Sequence, residues 1–257
     1  MNIQKAIKKI GLTKKQIIDL MQVSNNCYKS RGIPISELET RIEINDIPIV
    51  ISEIDEHNIV IAFRGTATNA EWVDNFKTWG SKSPIKSVGG RVHYGFKKRF
   101  EKIKPWLIKY LSSKLYLETE GENSKRINLF FTGHSLGATT ALYSALFTEI
   151  FSDQFNVYSI TFASPRPGNW KFRREAQKLL KNKIMMVKNG KDIVCSVPFL
   201  IFFYRHVGLY STIGKWSIKK IFLAYTLGWF SKAYKYYERV QDHYPEAYVN
   251  NLSKDLK

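Results

Sequence analysis

The segment Gly133-His134-Ser135-Leu136-Gly137 sets a serine between two glycines, each two residues away. A serine hydroxyl is a weak nucleophile unless the chain presents it on a tight turn beside a base. Glycines at those two positions remove the Cβ atoms that would clash where a strand enters the turn and a helix leaves it. The neighbouring residues supply both elements. Apolar Phe130-Phe131-Thr132 runs into Gly133, and the small residues Ala138, Ala141 and Ala145 follow Gly137 at helical spacing. The chemistry this pattern allows is attack on an acyl carbon, with N–H groups at the start of the helix near the developing negative charge. A serine that merely caps the helix is the plainer alternative, but a cap needs no glycine before it. His134 sits on the turn next to Ser135, so its side chain is expected to point away and to pack or position.

A serine nucleophile needs an imidazole to take its proton and a carboxylate to orient that imidazole. Where the nucleophile stands on such a turn, the chain order is serine, acid, histidine. Asp192 is the candidate acid, in Val187-Lys188-Asn189-Gly190-Lys191-Asp192, just past an apolar stretch. A turn aspartate after Asn189-Gly190 is its neutral reading. Two histidines follow, His206 and His243. The residues alone leave the choice between them open.

The elements that must hold these groups alternate. The first 30 residues read as helical, and 37–63 as strands with a turn at Asn45-Asp46 and another near Asp55–Asn58. Phe96, Phe100, Ile103, Leu107 and Leu111 share one helical face. Strand 127–132, helix 138–151, strand 157–163, helix 170–180 and strand 184–188 complete the pattern. Strands alternating with helices predict an α/β sandwich with a mainly parallel sheet covered on both faces. At 257 residues, 44% of them hydrophobic, the chain fits a single domain. Within it, residues 1–30 form a helical segment and about 213–238 a basic, aromatic insertion.

Several segments together resemble the fungal-type class three lipases, over roughly residues 45–245. They are Ile61–Thr66, Trp72–Phe76, Val92–Phe96, Thr132–Ala138, Thr161–Asn169, Asn189–Val194, Tyr204–Gly208 and Asp242-His243, in the family's order. The resemblance implies an α/β-hydrolase fold, with Ser135 as nucleophile, Asp192 as acid and His243 as base. It makes His206 a structural histidine. Thr66 matches the oxyanion-hole residue, and its backbone N–H and hydroxyl would act with the backbone N–H of Leu136. A lid is implied around Thr68–Phe76, with Trp72 on its apolar face. The chain departs from the family pattern in lacking a visible secretion signal and a disulfide-capable pair, and Pro167 replaces a small aliphatic residue.

The implied activity is hydrolysis of lipid esters, acylglycerols first, without metal or organic cofactor. Phospholipid cleavage at the sn-1 ester is the alternative, and an inactive lipase-like module that binds membranes is a third. The formal net charge is +18, from 40 Lys and Arg against 22 Asp and Glu. Such a field attracts anionic surfaces. Lys215–Tyr237 is aromatic in the middle and basic at both ends, as in a helix lying in a membrane interface. No nucleic-acid partner is expected, because no RNA-binding fold signature accompanies the basic residues. Cys27 and Cys195 stand far apart, so no disulfide framework is expected. The expected location is cytoplasmic or at the membrane periphery, since the N-terminal residues show no secretion signal and no apolar run reaches spanning length.

Overall fold

The computed structural model describes residues 1–29, 37–65, 80–118, 126–198, 203–214 and 240–256. Two helices open the chain, α1 (Ile3–Ile10) and α2 (Lys14–Asn26). The predicted helical segment is thus broken after Ile10, where Thr13 starts a second helix. Its side chain accepts from the Gln16 N–H, while the Gln16 side chain takes the Thr13 N–H in return.

The antiparallel strands β1 (Glu39–Ile44), β2 (Ile47–Asp55) and β3 (Asn58–Phe63) follow. Two short strands, β4 (Gly80–Lys82) and β5 (Arg91–His93), lead into the long helix α3 (Tyr94–Glu118). Next come β6 (Ile127–His134), α4 (Leu136–Phe151), β7 (Phe155–Phe162), β8 (Gly168–Asn169) and α5 (Trp170–Leu180). Then β9 (Ile184–Asn189), β10 (Tyr204–Arg205) and β11 (Leu209–Ile213) precede the last helix, α6 (Pro245–Asp255).

Seven strands form the central sheet in the order β1-β2-β3-β6-β7-β9-β11, parallel from β3 onward. Alternation along each strand feeds two separate cores. Ile59, Ile61, Phe63, Leu129 and Phe131 face α3 and α4, with Phe96, Phe100, Ile103 and Leu107 opposite them. Val60, Ala62, Phe130, Ile160 and Val187 face α1, α2 and α6. Helices therefore cover both faces, as the alternation of elements predicts. At about 25 cal/mol per Å² of buried apolar area, these two layers are the main source of stability.

Register places the carboxyl ends of the parallel strands level. Phe63 pairs with Gly133, His134 with Phe162, and Phe162 with Val187. A second, four-stranded sheet in the order β10-β8-β5-β4 is built from segments that leave those same carboxyl ends. Its strands are two or three residues long. That is too short for a period-two pattern to register in the sequence.

Candidate active site

Strand β6 ends at His134, and Ser135 stands at φ 59°, ψ −129° before α4 begins. Such a backbone is sparsely populated for a residue with a Cβ and persists only where its surroundings enforce it. They do so at close range. The Ser135 N–H donates to the Phe162 carbonyl at 3.1 Å, continuing the sheet ladder through the turn. A Cβ on Gly137 would lie 2.0 Å from the Phe63 carbonyl oxygen, and one on Gly133 2.7 Å from the Gly137 backbone. Both glycines are thus required by contact between the turn and its neighbours. The Ser135 side chain makes no capping bond, so the capping alternative does not describe this residue. Its Oγ is buried and has no hydrogen-bond partner among the described residues.

Asp192 follows β9 and is fully buried. Its carboxylate lies 3.1 and 3.0 Å from His243 Nδ1 through Oδ1 and Oδ2. Oδ1 also accepts from the Val194 N–H at 2.8 Å, and Oδ2 from the Tyr248 hydroxyl at 2.6 Å. The Cys195 thiol reaches Oδ2 at 3.6 Å. Burial, then the Asp192 charge, pushes both the Tyr248 hydroxyl and the Cys195 thiol far above their ordinary pKa values, so both stay protonated donors.

His243 arrives from the far end of the chain, and its loop is tied to the acid's loop. The Asn189 side-chain amide donates to the Asp242 carbonyl at 3.0 Å, and the Lys191 N–H to the Asp242 carboxylate at 2.7 Å. Behind them, Asn251 of α6 donates to Asn189 Oδ1 at 2.8 Å. Helix α6 buries Tyr248 and Leu252, with its C-cap Leu256, against the sheet, which fixes the loop that precedes it.

His134 is buried, as a packing or positioning residue should be, but its ring does not simply turn away from the site. It lies 4.6 Å from the His243 ring, centroid to centroid. Its Nδ1 is 3.0 Å from the Tyr28 hydroxyl, which also accepts from the Gly65 N–H at 3.1 Å. Burial, and then the neighbouring His243, holds the His134 pKa well below the usual imidazole value, and the His243 backbone offsets this only in part. A neutral ring there adds no like charge beside His243.

His206 lies elsewhere. Its Nε2 is 2.8 Å from the Cys195 carbonyl and its ring packs on Tyr210. Burial lowers its pKa to about 4. The structure brings Asp192 and His243 together and leaves His206 apart from the Asp192 carboxylate. Leu136 opens α4, next to Ser135. Thr66, Trp72 and the basic aromatic stretch 215–237 lie outside the described residues. Sequence reasoning gave no role to Tyr248, Asp242 or Asn189, although the last two fall in segments that carry the resemblance. Only Pro245, which starts a helix well, and the spacing of Tyr248, Leu252 and Leu256 signalled the element behind them. Among the described residues, no group of three or more His, Cys, Asp or Glu is placed to hold a metal ion, and no helix is long and apolar enough to cross a membrane.

A strained serine at a strand-to-helix turn, on a mainly parallel sheet covered on both faces, defines an α/β-hydrolase sandwich. The chain belongs to the class 3 lipase family, which matches residues 60–202. In sequence it is 27% identical over 161 residues to phospholipase A(1) DAD1 of Arabidopsis thaliana, covering 59% of this chain and 36% of that protein. Phospholipase A1-Igamma3 of the same plant is 32% identical over 170 residues, covering 58% and 32%. Both are described as chloroplastic, and this chain spans about a third of their length. In structure it resembles native Rhizomucor miehei lipase in its propeptide complex, with a TM-score of 0.67 at 23% identity over 78% of this chain and 68% of that one. Lip2 lipase of Yarrowia lipolytica superposes with a TM-score of 0.63 at 18% identity, covering 78% of each chain.

Proposed function

We propose that the protein is a serine carboxylic-ester hydrolase of lipid esters, with acylglycerols as the leading substrate class. The observation that carries this reading is the pairing of the buried Asp192 carboxylate with His243, whose ring lies against His134 next to the strained Ser135. In the proposed cycle, His243 Nε2 takes the Ser135 proton as Oγ attacks the ester carbonyl. Asp192 holds the Nδ1 side of the ring and stabilises the imidazolium. Backbone N–H groups of Leu136 and Thr66 receive the oxyanion. His243 then protonates the leaving alcohol, and water releases the acyl group by the same steps in reverse. The resemblance gives the lid role to Thr68–Phe76 and Trp72, which lie outside the described residues. The proposed cycle calls on no metal, and the enzyme would work in the cytoplasm or at the membrane periphery.

Hydrolysis of the sn-1 ester of anionic phospholipids is the second reading. It is favoured by the +18 net charge and by the phospholipase A1 names of the sequence relatives. Purified protein assayed on p-nitrophenyl esters of graded length, triolein emulsion and phosphatidylglycerol vesicles tests both readings. Turnover abolished in Ser135→Ala, with fluorophosphonate labelling of the wild type alone, is the expected result. Equal turnover by Ser135→Ala would overturn the proposal. Faster cleavage of phosphatidylglycerol than of triolein would put phospholipids first.

A further inference from the structure

Tyr94, Trp170, Phe203 and Tyr244 are the exposed aromatic residues among those described, at 46%, 54%, 68% and 43% exposure. All four stand at the catalytic end of the sheet. Tyr94 follows β5 and Phe203 precedes β10, both strands of the small sheet at the carboxyl edge. Trp170 is the first residue of α5, which leaves that edge and returns toward the start of β9. Tyr244 is the neighbour of His243. The other large exposed apolar residues, Met1, Leu38, Ile54 and Ile150, are not aromatic.

Trp170 also carries charge with it. The guanidinium carbons of Arg173 and Arg205 each lie 5.0 Å from its ring, so cations flank an indole that is more than half exposed. Arg173 otherwise bonds Gln177, and Arg205 the Tyr204 carbonyl. Neither has a carboxylate partner among the described residues. Glu175, the acid of α5, is occupied by the Gly89 N–H. Two arginines therefore keep donors available for an anion, next to a ring suited to the boundary between headgroups and acyl chains.

We infer that Trp170, Phe203, Arg173 and Arg205 form a docking surface for anionic lipid headgroups, which seats the catalytic edge on a membrane. The inference rests on the lipid-ester reading, because only a substrate held in an aggregate requires the site's own edge to meet a surface. It is separate from the basic aromatic stretch at 215–237, from which it borrows no residue.

The test is sedimentation of wild type, Trp170→Ala and the double variant Arg173→Glu with Arg205→Glu, using phosphatidylglycerol–phosphatidylcholine vesicles and pure phosphatidylcholine. Hydrolysis of p-nitrophenyl butyrate in solution and thermal midpoint are measured alongside. Each basic residue near an anionic surface contributes about fivefold in partitioning, so the double variant should bind anionic vesicles at least about twenty-five-fold less. Trp170→Ala should lose binding that resists salt. Soluble-ester turnover and thermal midpoint should stay at wild-type values in both. Wild-type binding that the variants retain would overturn the docking surface while leaving the lipid-ester reading intact. Wild type that hydrolyses triolein or phosphatidylglycerol yet binds no vesicle would overturn it too. Tighter binding of a single-stranded oligonucleotide than of anionic vesicles, lost in Trp170→Ala, would reassign the patch to nucleic acid. Absence of any ester hydrolysis in wild type would instead remove the reading on which the inference stands.

Discussion

Asp192 and Ser135, the proposed acid and nucleophile, sit within one sheet edge and are treated in opposite ways. Asp192 accepts from His243, the Val194 N–H, the Tyr248 hydroxyl and the Cys195 thiol. Ser135 Oγ, equally enclosed, meets no partner among the described residues. A buried carboxylate must be saturated with donors to remain charged, since an unpaired one would cost several kcal/mol. A hydroxyl can wait unbonded at about 1–3 kcal/mol, and catalytic hydrogen bonds often tighten only when substrate arrives. One half of the site is thus assembled before binding. In the other half the backbone is fixed and the reacting oxygen is left open.

The sharpest way to break that division is at the reacting atoms. Ser135→Ala should reduce ester turnover by about a thousandfold or more, with a thermal midpoint equal to or above that of the wild type, because no bond of Oγ is lost. His243→Ala should match it in turnover. His206→Ala should retain most activity if folded. Assays on matched, folded proteins check the ranking. A reversed order of the two histidines would move the base to His206 and dissolve the paired half.

Protonation gives the next effect. The folded-state pKa of His206, about 4, lies below the ordinary value of 6.5. The unfolded chain therefore binds the proton first as pH falls. Stability from this group is complete above pH 6.5, drains between 6.5 and 4, and is flat below. Between pH 7.5 and 5 the loss is about 2 kcal/mol from His206 alone. His134, whose pKa is also depressed by burial, acts in the same direction. Urea unfolding across that range should show the slope, and His206→Gln should flatten part of it. An unchanged slope would mean that burial does not hold His206 neutral.

The two halves were not equally legible in the sequence. The turn that carries Ser135 is local, so Gly133, Ser135 and Gly137 announce it within five residues. The sandwich was legible for the same reason: β3, β6 and α3 carry clear apolar periods. The acid's donors are not local. Tyr248 stands 56 residues from Asp192 and reaches it only because α6 packs on the face of the sheet that α1 and α2 cover. Choosing His243 over His206 rested on resemblance, since both follow Asp192 and only the fold separates them. The small sheet escaped because two-residue strands have no period. Trp170 gave no signal either, because its significance lies in Arg205, a cross-strand neighbour of Gly168.

The smallest expected effect probes whether the saturation of Asp192 matters to turnover or only to folding. Tyr248→Phe removes the shortest bond to the carboxylate while keeping the ring that packs against Phe162 and His134. A hydrogen bond to a charged group contributes about 1.5–3 kcal/mol, and the lower end is apt because the Val194 N–H and His243 remain. With less support, Asp192 orients His243 less well. Turnover should fall about tenfold with KM unchanged. Cys195→Ala removes a weaker donor at 3.6 Å and should change turnover less than threefold, by about 0.5 kcal/mol. A Tyr248→Phe protein that loses stability but keeps wild-type kcat would show that the saturated half supports only the fold. The preassembly inferred from the contrast between Asp192 and Ser135 would then have no catalytic consequence.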